Sequence, residues 1–120
     1  MLVDADSGSA SELLARTVPR AHRGTVIGDR TAGTVMVARH TTLVAGAGEN
    51  VVPYEVSVTV ADIVMPDGGR LELIGVEPDL KVLPSAEDLA GGRDPVFAQA
   101  LALAGRTMDA AAAGTLLPKH

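Results

Sequence analysis

Apolar positions along the chain switch between a period near two and a period near three and a half, which predicts an α/β unit. Residues 2–5 read as a short strand, and about 10–22 as a helix with Leu13, Leu14, Thr17 and Val18 on one face. Pro19 removes a backbone donor and predicts an early end or a kink, with Gly24 as the stop. Thr25-Val-Ile27 reads as a buried strand, and Val35–His40 as a second that runs on through Leu43 and Val44. Gly46–Asn50 reads as a loop. Glu55-Val-Ser-Val-Thr-Val60 alternates strictly and is the clearest strand in the sequence. Pro66-Asp-Gly-Gly69 reads as a turn, and Arg70–Ile74 as the strand that returns from it in a hairpin.

Beyond Asp79 the pattern becomes helical. Pro84–Asp88 opens a short helical turn, and Asp94-Pro95 joins a favoured N-cap to a favoured first residue. Val96, Gln99, Ala100 and Leu103 share a face that predicts docking on the sheet. The Ala-rich residues 106–120 predict a marginal helix and a loose tail, so the main unit is placed at 1–105. No repeat or linker divides it.

Composition narrows the function classes. The 120 residues are 47% hydrophobic, enough for one core, and with only Tyr54 and Phe97 aromatic that core must rest on Val, Leu, Ile and Ala. A net charge of −5 and two aromatic residues argue against nucleic-acid binding, which needs cationic and stacking groups. With no cysteine, disulfides and thiolate metal sites are excluded and the compartment stays open. No apolar run is long enough to span a bilayer, and the N-terminus lacks a basic-then-apolar signal pattern. No His/Asp/Glu spacing resembles a metal ligand set, and nothing calls for a cofactor.

The candidate chemistry sits where the first strand meets the first helix. Leu2-Val-Asp-Ala-Asp-Ser-Gly-Ser-Ala-Ser-Glu12 places Ser9 at a tight turn, with helix N-terminal amides around its hydroxyl. Such a serine can attack a carbonyl while the Ala10 N–H stabilises the oxyanion. The same letters also spell a capping box, with Ser9 as N-cap and Glu12 at N3. The turn alone leaves both readings open.

Further motifs follow in order: Arg23-Gly-Thr-Val-Ile-Gly28, Thr31-Ala-Gly33, Pro66-Asp-Gly68 and Gly75-Val-Glu-Pro-Asp79. With the Ser9 turn, these five motifs over residues 1–83 resemble the tail-specific (C-terminal-processing) serine peptidases, a family that also holds the tricorn core and the retinoid-binding repeat proteins. The resemblance implies an α/β fold with a ClpP/crotonase-like sheet and packed helices, of which this chain is the C-terminal part. It implies a serine endopeptidase that hydrolyses polypeptide substrates through an acyl-enzyme on Ser9, in a parent protein that is exported or periplasmic. One branch of the family carries a lysine base just after the Thr-x-Gly turn. Here that position is Thr34, and the only lysines are Lys81 and Lys119. The tricorn branch takes its histidine from sequence before the nucleophile, where this chain has almost none. A missing N-terminal half would supply the second oxyanion donor and the base, leaving an inactive fragment whose open sheet edge favours homo-oligomers.

Within the chain His40 is the candidate base, because His22 lies beside Arg23 at a helix end and His120 is terminal. Arg39 would then face the other way. An exposed or core-satisfied strand histidine explains His40 as well. Asp62, Asp67 and Glu77 are the carboxylates that could orient a histidine; Asp62 interrupts an apolar stretch, at an energetic cost unless it is paired or solvated, and is the one to test. Asp67 reads as a turn residue, and Asp79 as bonded to local backbone. Beside the peptidase stand two alternatives: a non-catalytic peptide- or lipid-binding member of the same fold, and an acyl-CoA enzyme of the related crotonase type.

Overall fold

The structure is a computed structural model and describes residues 1–116. Two substructures share a short connection. The first is a three-stranded parallel sheet in the order β1 (Leu2–Val3), β2 (Ile27–Gly28), β5 (Leu80–Lys81), with Leu2 opposite Ile27 and Ile27 opposite Leu80. Parallel neighbours need crossovers, and α1 (Ala10–Arg20) lies between β1 and β2 in the chain. Helices α2 (Ala86–Gly91), α3 (Pro95–Leu103) and α4 (Ala110–Gly114) follow β5, with α3 against β1, β2 and α4. Val3, Ala15, Val26, Val35, Leu71 and Val76 form the core, with Leu13, Ile63 and Met65 packed on it. The last four residues of the Ala-rich segment, 117–120, lie outside the described residues.

The second substructure is the hairpin of β3 (Val37–Ala47) and β4 (Asn50–Ala61), paired from Val37–Ala61 to Ala47–Asn50. The predicted loop over 46–50 is therefore mostly strand, closed by a two-residue turn at Gly48-Glu49. One face carries Leu43, Val52, Tyr54, Val56 and Val58, all exposed. The other presents His40, Thr42, Glu55, Ser57 and Thr59. Because this ribbon projects from the core, the radius of gyration is 19.2 Å, against about 14 Å for a compact chain of this length.

Several local expectations are corrected. α1 turns Glu12 and Ala15 inward, while Leu14 is 55% exposed and Thr17 is exposed too. The reason is polar: the buried Glu12 carboxylate has four donors waiting for it, which outweighs an apolar stripe. Pro19 lies inside the helix, one residue before its end. Termination comes at His22 rather than Gly24, since His22 adopts φ 53° and the Arg23 N–H donates to the Val18 carbonyl at 3.0 Å.

Further along, β2 is shifted from Thr25–Ile27 to Ile27–Gly28 because Val26 N–H is taken by Asp79 Oδ2 at 2.8 Å, so Asp79 bonds backbone 53 residues away instead of its own turn. Arg70–Ile74 is not a strand. Only Arg70 bridges to Val64, after which the chain turns and Leu73 takes φ 60° with 88% of its surface exposed. The Pro66–Gly69 turn stands as expected, tied to α1 by Arg16 and Arg20 on Asp67 at 3.1 and 2.6 Å. In α3 the Asp94 cap closes on Phe97 N–H at 2.8 Å, but Leu103 is exposed rather than docked.

Candidate functional site

Ser9 sits between β1 and α1 with φ 56° and ψ −121°. A residue that merely caps a helix takes extended backbone angles. This one occupies a region that L-residues avoid, at a strain of about 1–3 kcal/mol. Ser9 and Glu12 retain the arrangement of a capping box, yet the Ser9 hydroxyl makes no cap hydrogen bond. Its side chain is left exposed at the turn. The next amide, Ala10 N–H, has no backbone acceptor among the described residues, so a free donor stands at the head of α1 beside the serine.

The turn is held from beneath by one carboxylate. Glu12 is fully buried, and its Oε2 accepts from Ser9 N–H at 3.1 Å and Thr34 N–H at 2.8 Å. Its Oε1 accepts from Gly33 N–H at 2.8 Å and the Thr31 hydroxyl at 2.5 Å. Burial pushes the Glu12 pKa upward, but the Thr31 hydroxyl and the N–H groups of Thr34, Gly33 and Ser9 outweigh it and hold the carboxyl below its ordinary value. Glu12 is therefore the anionic hub of the site. Thr31 extends the network, since its Oγ1 also accepts from Val76 N–H at 2.7 Å. The serine turn, the Thr-x-Gly turn and the Gly75–Asp79 motif thus meet at a single side chain.

Thr34, at the usual lysine position, lies directly against the serine turn. Its carbonyl accepts Ser9 N–H at 2.9 Å, and a Cβ on Gly8 would fall 2.6 Å from its hydroxyl oxygen. Only glycine lets the two turns approach so closely. Glu72 secures the far side by accepting Val35 N–H at 2.6 Å.

The structure does not bring the other sequence candidates to this junction. His40 lies on the polar face of the hairpin with 60% of its side chain exposed, and its Nδ1 is 3.0 Å from Glu55 Oε1. Asp62 follows the end of β4 and is paired with Arg70, not with a histidine; its Oδ1 is buried with no partner. Glu12 and Thr31 were missed as site residues. The Ser-x-x-Glu spacing marks Glu12 as a cap partner, but nothing in the letters says that its carboxylate is buried, and Thr31 carries no signal beyond the turn it opens.

The sequence profile of peptidase family S41 matches residues 1–82. The C-terminal processing peptidase, chloroplastic, of Tetradesmus obliquus is 36% identical over 93 residues, covering 76% of this chain and 18% of that protein. In the tricorn protease structure, 86% of this chain matches at TM-score 0.69 and 21% identity, covering 10% of that chain. A putative peptidase from Parabacteroides merdae ATCC 43184 matches over 85% of this chain at TM-score 0.62 and 24% identity, covering 30% of that chain. These two structural likenesses speak for the fold. The chain spans less than a third of the length of each of these relatives.

Proposed function

The chain belongs to peptidase family S41, and from that membership we infer that it is a serine-type peptidase unit that cleaves polypeptides through an acyl-enzyme on Ser9. The observation that carries this reading is the left-handed backbone of Ser9, φ 56°, beside a free Ala10 N–H. In the proposed reaction Ser9 Oγ forms a bond to the scissile carbonyl carbon as its proton passes to a base. The carbonyl electrons become an oxyanion facing Ala10 N–H. Collapse expels the amine with a proton, and water then releases the acyl group. Glu12 and Thr34 act as positioning residues: the one fixes the turn, the other receives its amide. Asp62 has a structural role in its pair with Arg70.

Ser9→Ala decides the point. Fluorophosphonate labelling of the chain, read by intact mass, should give one adduct that is absent from the variant. His40→Ala should label as the parent does, because His40 is engaged with Glu55 on the hairpin. Loss of the adduct in His40→Ala would reinstate it as the base.

One observation favours the second reading, a non-catalytic peptide- or lipid-binding member. A threonine hydroxyl stands where a lysine base would, and a hydroxyl is too weak a base to take the serine proton. A folded chain with no Ser9 adduct would mean that the catalytic machinery is incomplete within these residues, and absence of the adduct from an N-terminally extended chain as well would establish the non-catalytic reading.

A further inference from the structure

The apolar face of the β3–β4 ribbon is left uncovered. Apart from each other, β3 and β4 pack extensively against no other helix or strand among the described residues. Val58 at the base is 53% exposed and Val52 toward the tip is 63% exposed, and Val56, Tyr54 and Leu43 fill the stripe between them. An apolar patch this continuous marks an interaction site rather than ordinary surface. The opposite face is polar over most of its length and turns apolar only near the tip, at Val44, Val51 and Pro53.

The two ends of the stripe decide what fits it. The one charged side chain on this face is Arg39, paired with Val58 at the base, and the one charge at the tip is Glu49, in the turn. Both are exposed, and neither enters an ion pair among the described residues. Positions 39 and 49 lie about 33 Å apart along a strand, so the two cannot meet within one chain. A second ribbon laid face to face and reversed end for end brings each Arg39 over Glu49 of the other copy. The same reversal sets Leu43 and Tyr54 opposite Ala45 and Val52 of the second copy, large against small, and keeps the two cores at opposite ends. Stacking without the reversal would instead put Arg39 on Arg39 and the cores side by side.

We propose that two copies of this chain associate through these faces as a two-fold dimer with antiparallel ribbons. The apolar stripe supplies the attraction, and the two Arg39–Glu49 pairs set the register. Each face measures about 36 Å by about 10 Å, so the pair buries on the order of 800 Å², the scale of a weak, exchanging dimer rather than a permanent one. The inference does not depend on the chemistry of Ser9.

Sedimentation velocity of the 120-residue chain at rising micromolar concentrations reads the association. The chain should pass from monomer to dimer and stop there. Val56→Lys, on the apolar face, should weaken the dimer about tenfold or more. Ser57→Lys, one residue along and on the polar face, should leave it within about twofold. Arg39→Glu and Glu49→Arg should each weaken it about tenfold, and the double variant should regain the parent's association. Within one chain the two positions are too far apart to compensate, so that recovery reports contact between copies. All four positions are exposed in the monomer, so the substitutions leave the fold intact. A chain that stays monomeric throughout would overturn the proposal and leave the face to a different occupant. So would equal weakening by Val56→Lys and Ser57→Lys, which would indicate pairing along a strand edge. A double variant no better than its single parents, or growth past the dimer, would overturn it as well.

Discussion

Glu12→Ala is expected to destabilise the fold by about 3 kcal/mol or more, because three backbone N–H groups and the Thr31 hydroxyl lose their acceptor inside the protein. With domain stabilities of about 5–15 kcal/mol, that is a large fraction of the total, and urea midpoints measure it directly. Glu12→Gln keeps the shape but turns an N–H donor toward other donors, so it should fall well short of the parent too.

The charge makes the effect depend on pH. Glu12 has a folded pKa below its unfolded one, so its stabilisation is complete above the ordinary glutamate range and is lost as pH falls through the lowered folded value. The parent should therefore weaken on acidification below about pH 4.5, while Glu12→Gln should lack that share of the slope. Parallel pH curves for the two chains would remove Glu12 from its place as the anionic hub.

The second large effect separates the serine's conformation from its hydroxyl. Ser9→Gly relieves the φ 56° strain, whereas Ser9→Ala removes the hydroxyl and leaves the strain in place. After allowance for the greater freedom of an unfolded glycine, Ser9→Gly should be more stable than Ser9→Ala by about 1 kcal/mol. Neither variant should label. Equal melting temperatures for the two would mean that the turn carries no strain at Ser9, and would remove the positive φ as support for the proposed role of its hydroxyl.

Much of this was legible in the letters because it is local. The Asp94-Pro95 start of α3 and the strict alternation of 55–60 are decided by neighbouring residues, and both hold in the structure. The Ser9 turn was found in the same way, as a short strand running into small residues and a helix start. What was not legible depends on partners far off in sequence. The inward side of α1 is chosen by Thr31, Gly33 and Thr34, which are 19 to 22 residues from Glu12. The shift of β2 is set by Asp79, and the failure of 70–74 to extend as a strand goes with Leu73 N–H donating to the Gly33 carbonyl at 2.8 Å. His40 stands out in the sequence because His22 lies at a helix end and His120 is terminal. Where a strand carries its side chains was not in that signal, and β3 takes His40 out along the ribbon toward Glu55.

The meeting of three motifs on Glu12 and Thr31 also orders events during synthesis. Ser9 N–H meets Glu12 Oε2 within its own turn, but its second acceptor, the Thr34 carbonyl, follows later in the chain. The Thr31 hydroxyl bridges to the rest of the core only once Val76 is available. At a synthesis rate of about 5–20 residues per second, the Ser9 turn waits seconds for the distant partners that fix it. The full set of contacts around the Ser9 turn thus depends on residues as far along the chain as Val76, and the turn is complete only when the three motifs have come together.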